Sequence, residues 1–479
     1  MPDDFDRYRS PLETRYASEA MQRLWSDGHR FGTWRRLWLA LAESQMELGL
    51  DITESQVEAL RNHLDDIDYE SAAAHEKRLR HDVMAHVHVL GEVAPEARGI
   101  IHLGATSQFV NCNAELLILR DALALLEAKT AALVMALGDF AQEWKSLPTL
   151  GFTHYQPAQP VTVGRRAVNW AQDFWLALED LEHRRSNLRF RGVRGATGTQ
   201  ASFLALFDGD EQKVEELDRL VTQKSGWSED HRLPVTGQTY PRLVDAQVTG
   251  SLAVLAAAVH KCATDIRLLA NRKEIEEPFG AQQIGSSAMP YKRNPMRCER
   301  ACGMARYVMS VASSPLQTAA VQWFERTLDD SANRRLVLPE SFLALDGCLD
   351  IMRDVLSGLV VYPETIKAQL DAELPFMASE EIMMEAVRQG GDRQDVHEAI
   401  RGHAQEAARR VKSEGAPNDL IERLQGDPLI AGVDLEALLD PSRYIGRSVS
   451  QVDAFIRDVV EPVRARYADR PVESAALHV

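Results

Sequence analysis

The sequence predicts an all-α protein of three domains with a central bundle of long helices. Three observations carry that prediction. Four long segments (113–144, 161–189, 243–277 and 332–358) are rich in Ala and Leu, and Pro339 in the last is their one proline. Period-two alternation, the mark of a half-buried strand, is scarce. A chain of 479 residues exceeds what one core organises and calls for about three domain-sized units. Thirty residues of helix span about 45 Å. Helices of that length bury apolar residues all round only in a bundle extended across subunits, so an oligomer is expected.

The first domain, 1–111, opens with a helical stretch over 31–48, where Trp34, Leu37, Trp38, Leu41 and Met46 recur near helical spacing. In the central domain, 112–363, Asn113 can cap the first long helix, with Leu116, Leu119, Leu123 and Leu126 on one side. Pro157 and Pro160 in THYQPAQP keep that helix from joining the next and leave His154 at a bend. Pro339 is expected to break or start the last long helix. After Pro363 the segments shorten and become charge-dense, with interruptions at Gly390, Gly391 and Pro417, which marks a third domain, 364–479, without a catalytic constellation. The tail from Arg470 is expected to be partly disordered.

With 45% hydrophobic and 26% charged residues, the composition is that of a soluble globular protein. No run approaches the roughly 20 apolar residues of a spanning helix, so no membrane partner is expected. The start, MPDDFDRYRS, lacks the apolar core of a secretory signal and the basic, acid-poor character of a transit peptide, so a cytoplasmic protein is expected. Five cysteines without a CxxC pair argue against a disulfide framework and a zinc site. Cys298 and Cys302 would share a helix face as buried thiols. A net charge of −17 argues against nucleic acid as a partner, and an anionic small substrate then needs locally clustered cations.

Residues 285–300, GSSAMPYKRNPMRCER, supply such a cluster, with Lys292, Arg293, Arg297 and Arg300 against the single acid Glu299. Gly285, Pro290 and Pro295 disfavour regular structure, so a mobile loop able to close over a substrate is expected. RHDVMAHVH brings His81, His86 and His88 together without the spacing of a zinc helix, so no metal site is expected. Thr106 and Ser107, close after His102, offer hydroxyls and backbone amides to a carboxylate. Gln238 can both donate and accept. RGVRGATGTQASF from Arg191 lacks the P-loop pattern and reads as a substrate-loop turn. Arg326, Ser331, Arg334 and Arg335 suit a phosphate, and suit equally a salt-bridged helix start with Asp329 and Asp330.

GSSxMPxKxNP is the signature loop of the fumarase/aspartase superfamily. Together with TLGFTHYQPAQP and QWFERTLDDSANRR it makes the chain, from about Arg15 onward, resemble the animal-type branch acting on succinylated purine nucleotides. The resemblance implies β-elimination of fumarate from adenylosuccinate, giving AMP, and from the succinylated aminoimidazole carboxamide ribotide. It implies a homotetramer with a twenty-helix core and sites completed by different subunits, and no cofactor or metal. His154 is then the general acid, supported by His81. Ser286 is the general base, with Lys292 and backbone amides to stabilise its alkoxide, and Ser287 is the competitor that the residues alone do not separate from it. Lys292 and Asn294 hold the succinyl carboxylates. Arg15, Tyr16, Arg300, Arg326, Ser331 and Arg335 hold the nucleotide, while Arg80 and Asp82 serve substrate binding and charge placement. His154 and Ser286 are expected in opposite regions of the extended chain. Argininosuccinate-lyase or fumarase chemistry shares the loop, but ERTLDDSANRR favours the nucleotide branch. A non-catalytic helical scaffold is disfavoured because Ser286, Lys292, His154 and His81 are all present.

Overall fold

The computed structural model describes residues 6–280, 282–470 and 472, so most of the C-terminal tail read as partly disordered lies outside the described residues. A single π-helical turn, Leu12–Tyr16, leads into α1 (Asp27–Glu47), whose start is fixed by the Ser26 side chain accepting from the His29 N–H. This helix buries Trp34, Leu37, Trp38 and Leu41, the residues of the helical pattern. Next come α2 (Tyr69–Leu79), ended by Arg80 at φ 55°, and α3 (Asp82–Val93), capped by His81.

The centre is built from α4 (Ser107–Glu143), α5 (Val163–Ser186), α6 (Leu243–Asn271), α7 (Met296–Val311) and α8 (Asp329–Ser357). One apolar core joins them to α1, and the all-α expectation holds. Among the described residues α6 is long and apolar enough to cross a bilayer. Its Val248, Leu252, Leu255, Val259 and Ile266 are instead buried in the bundle.

The separation of α4 from α5 at Pro157 and Pro160, with His154 at the bend, is as expected, and the reading of Pro339 is corrected. Pro157 and Pro160 belong to a regular element. They lie in β2 (Gln156–Thr162), which pairs antiparallel with β1 (Pro148–Thr153) as a two-stranded hairpin. A two-stranded ribbon consists of edges, so the missing proline N–H groups break no central ladder. Pro339 neither breaks nor starts α8 but sits inside it. Leu338, Ser341 and Phe342 around it are buried, and that packing offsets the cost of about 3 kcal/mol for a proline in a helix interior.

A short pairing of β3 (Ile275–Glu276) with β4 (Val360–Val361) follows, then α9 (Pro363–Met377), α10 (Ser379–Arg388) and α11 (Arg393–Glu414). A second apolar core gathers Ile382, Val396, Ile400, Leu420 and Leu424. The chain then returns through α12 (Ser448–Phe455) and α13 (Glu461–Arg466), placing Val452, Val460, Val463 and Tyr467 in the first core.

The bundle has two ends. At the first, α4, α6 and α8 begin side by side: buried Arg334 of α8 pairs with Glu115 of α4 at 2.8 Å and with Asp245 of α6 at 2.6 Å. Midway, Lys129 of α4 meets Asp346 and Asp350 of α8. At the second end lie the β1–β2 hairpin and the segment leading into α7. There Arg272 stacks over Phe152 at 4.5 Å, and Gly358 packs on Pro278. At 1.5 Å per residue, α4 separates the two ends by about 54 Å.

Candidate active site

Most of the residues singled out by the sequence fall into two clusters, one at each end. The first comprises His81, Asp82, Thr106, Ser107, Gln238, Arg326, Ser331 and Arg335. His81 accepts the Met84 N–H on Nδ1 at 3.2 Å, so capping α3 fixes its ring. Asp82 accepts from Arg335 at 2.9 Å. Thr106 stands at the N-cap of α4 without closing it through its side chain, which leaves the hydroxyl for other partners. His102 accepts the Trp38 indole N–H on Nδ1 at 2.9 Å. Burial pushes its pKa down to about 4, with a further push from nearby His81, so it is neutral near pH 7.

Arg326 donates to Gln238 Oε1 at 2.7 Å. With the Gln108 amide turned so that its oxygen faces the guanidinium, Gln108 accepts from both Arg326 Nη atoms at 3.1 Å. Gln108 was not singled out by the sequence reading, although it follows Ser107 directly in the first turn of α4. The Gln238 carbonyl is in turn held by Arg191, through Nε at 3.0 Å and Nη2 at 2.6 Å. Arg191 is fully buried among backbone carbonyls, and desolvation pushes its pKa down to about 10. Its neighbour Arg194 pairs with Asp218 at 2.6 Å, so both arginines of RGVRG turn inward. The two readings of 326–335 divide residue by residue. Arg334 is a buried ion-pair partner and Asp330 pairs with Arg242 at 2.6 Å, while Arg335 is exposed and Arg326 and Ser331 are half-buried.

The second cluster comprises His154, Ser286, Lys292, Asn294 and Arg300. His154 and Tyr155, at φ 53° and 55°, form the two-residue tip of the hairpin and are exposed. Positive φ at both positions is what such a turn requires, and it is strained for residues other than Gly or Asn. In the loop, a Cβ on Gly285 would lie 2.1 Å from the Lys292 carbonyl oxygen, so only glycine lets the segment fold back on itself. Asn294 braces it by donating to the Gly285 carbonyl at 2.8 Å. Ser286 is half-buried, and its Oγ accepts from the backbone N–H groups of Met289 at 3.1 Å and Ala288 at 3.4 Å. Ser287 and Lys292 are exposed, and Arg300 follows in the first turns of α7.

His154 and Ser286 therefore share one end and do not lie in opposite regions. The hairpin sends α5 back along α4 and α6 returns, so two reversals bring residue 286 to the end that carries residue 154. Arg15 and Tyr16 belong to neither cluster. A Cβ on Gly347 of α8 would lie 2.7 Å from the Tyr16 carbonyl oxygen, and Ser18 N–H donates to Asp346 at 2.7 Å. Gly347 is twelve residues beyond Arg335, about 18 Å along the helix. Arg80 is exposed at the end of α2. The three clustered histidines go separate ways: His81 caps α3, His86 stacks on Phe31 at 3.8 Å and His88 stacks on His75 at 5.1 Å. No grouping of three or more His, Cys, Asp or Glu suited to a metal occurs among the described residues.

Residues 14–310 match the family model described as Lyase, and residues 375–455 match that of the adenylosuccinate lyase C-terminus. The chain is 52% identical to the adenylosuccinate lyase of Schizosaccharomyces pombe, covering 97% of each chain, and 52% identical to that of Saccharomyces cerevisiae, covering 95% of each. In fold it is similar to the 3-carboxy-cis,cis-muconate lactonizing enzyme of Pseudomonas putida, at a TM-score of 0.81 and 24% identity, over 95% of this chain and 99% of that one.

Proposed function

The chain belongs to the adenylosuccinate lyase family, a group of carbon–nitrogen lyases, and we propose that its two clusters are complementary parts of one active site assembled from different copies of the chain. The reaction inferred is removal of a proton from the carbon beside a succinyl carboxylate, passage through an aci-carboxylate, and loss of the nitrogen. The base takes the proton, the C–H electron pair becomes the new C=C bond, and fumarate leaves as the C–N electron pair stays on the nitrogen, which is protonated.

Ser286 is assigned as the base. The observation that carries this is its Oγ, which already accepts two backbone N–H groups. Donors aimed at an oxygen favour its charged form, as an alkoxide requires. Ser287 is exposed and lies one residue further along the turn. His154, at the hairpin tip, protonates the leaving nitrogen, a task an imidazolium N–H can perform. His81 supports it from the other cluster. Lys292 and Asn294 meet the carboxylates once the loop closes, and closure strengthens those contacts by excluding water. Thr106, Ser107 and Gln238 take the remaining polar edges of the substrate, with Arg80 and Asp82 placing charge. Arg300, Arg326, Ser331 and Arg335, with Arg15 and Tyr16, hold the nucleotide. Arg326 suits this because its two fixed neighbours, Gln108 and Gln238, are uncharged and leave its charge for an anion.

The separation of about 54 Å between the ends supports assembly from several chains. We infer a homotetramer in the cytosol, with domains 1–111, 112–363 and 364–479 and both succinylated purine nucleotides as substrates. The test is fumarate release, followed by absorbance, from adenylosuccinate, argininosuccinate and malate. Turnover of adenylosuccinate alone among the three is expected, and turnover of another with adenylosuccinate inert would overturn the assignment.

A further inference from the structure

On the flank of the hairpin whose tip carries His154, one pocket of about 360 Å³ has an unusual charge. It lies where the middle of the hairpin, at Gly151, Phe152 and Gln159, meets Arg165, Arg166 and Asn169 of α5 and the turn before α12 that carries Arg447. The chain holds 71 acidic residues and has a net charge of −17. None of them lines this pocket, which three arginines share.

None of the three guanidinium groups forms an ion pair among the described residues. Arg165 donates through Nε to Gln451 Oε1 at 2.6 Å and through Nη1 to Asn169 Oδ1, both uncharged acceptors. Arg166 donates to the Leu150 carbonyl, and its Nη1 is buried with no hydrogen-bond partner. Arg447 is exposed at the rim, and its side chain makes no ion pair among the described residues. The carboxylates whose charge reaches Arg166 are Glu274 and Asp265. Asp265 pairs with Lys261 at 3.0 Å and Glu274 gives one oxygen to Arg272 at 2.7 Å, while its Oε2 is buried without a hydrogen-bond partner, and neither carboxylate lines the pocket.

Like charges gathered in a concavity repel, and a buried donor without an acceptor is costly. One ligand removes both penalties: a compact anion with several acceptor oxygens. Guanidinium forks match the oxygens of a phosphate in pairs, and the volume admits a phosphate alone or one carried on a small molecule. We propose that this pocket is a second anion site, selective for a phosphate group, held by Arg165, Arg166 and Arg447. The proposal stands on the pocket alone and does not depend on the catalytic assignments.

The test is equilibrium dialysis of the full chain with radiolabelled inorganic phosphate and, separately, with AMP. Arg447→Gln removes a rim charge without disturbing the core, and Arg165→Gln removes a second from the half-buried wall. Each is expected to weaken one site per chain by about tenfold or more, while the KM for adenylosuccinate changes less than twofold. If the second site is seen with both probes, the phosphate group is sufficient. If it is seen with AMP alone, the ligand is a nucleotide and the phosphate selectivity stands within that larger molecule. Binding of both probes that is unchanged in both variants, or a wild-type protein with no site beyond the one lost together with substrate binding, overturns the proposal.

Discussion

Asp82 accepts from Arg335 at 2.9 Å, joining the start of α3 to the start of α8 across 253 residues of sequence. Arg335 is therefore already paired within the chain, and an anion binding there would share or displace a carboxylate. The pair is partly exposed, so its contribution to stability is at most about 1 kcal/mol. Asp82→Asn should shift the denaturation midpoint little. Arg335→Gln should raise KM about tenfold or more through loss of a charge-assisted contact. Steady-state kinetics beside urea melts would separate the two effects, and an unchanged KM in Arg335→Gln would remove that residue from the site.

Ser286→Ala should lower kcat by about 10²-fold or more while KM stays within a few fold, because proton abstraction is lost and the cationic surroundings remain. Ser287→Ala should keep most of its turnover. The reverse pattern would move the base by one residue.

Arg326→Lys should raise KM more than it lowers kcat. Lysine keeps the charge but loses the fork that lets one guanidinium contact Gln238 and Gln108 together. Titration of a substrate lacking the phosphate should show a much smaller difference between wild type and variant. Equal losses with both substrates would mean that Arg326 acts only by shaping the site.

Subunit mixing tests the separation of the two ends. Ser286→Ala and His81→Ala proteins, each inactive, are mixed equally, dissociated and reassembled. If a site takes these residues from different chains at random, about a quarter of sites carry both. Activity near a quarter of wild type is expected. A mixture that exchanges subunits yet stays inactive would show that one chain supplies both groups.

His86 and His102 are both held at a pKa of about 4, chiefly by burial, against an ordinary value of 6.5. Below 6.5 the unfolded chain binds protons that the folded chain refuses, so stability is full above that pH and is lost as the pH falls from 6.5 towards 4. Each histidine accounts for up to about 3 kcal/mol of that loss. Denaturant midpoints between pH 4.5 and 7 should fall less steeply in His86→Phe, and an identical slope would assign the acid sensitivity to other groups.

The long helices were legible because uninterrupted Ala and Leu segments of that length have few other solutions. The hairpin was not, since Pro157 and Pro160 argue against a strand unless the strand is an edge. The face chosen by Arg334 and Arg335 was also hidden. Adjacent arginines in one helix are equivalent until Asp245 and Glu115, distant in sequence, claim one of them. Likewise the preference between Ser286 and Ser287 comes from a backbone turn that places two N–H groups on one hydroxyl. The signature motif identified the loop but not that turn.

The return of α12 and α13 to the first core bears on how the chain is made. Val460 lies against Gly138, near the C-terminal end of α4, in a space that a Cβ would fill at 2.6 Å. A nascent chain emerging from the ribosome must therefore hold its longest helix with an uncovered apolar groove until residues 448–466 appear. Domains emerging early usually fold as they emerge. Here the N-terminal two thirds must wait, and a premature stop after the second core would leave the groove open, exposing the truncated product to aggregation and proteolytic removal rather than yielding a shortened enzyme.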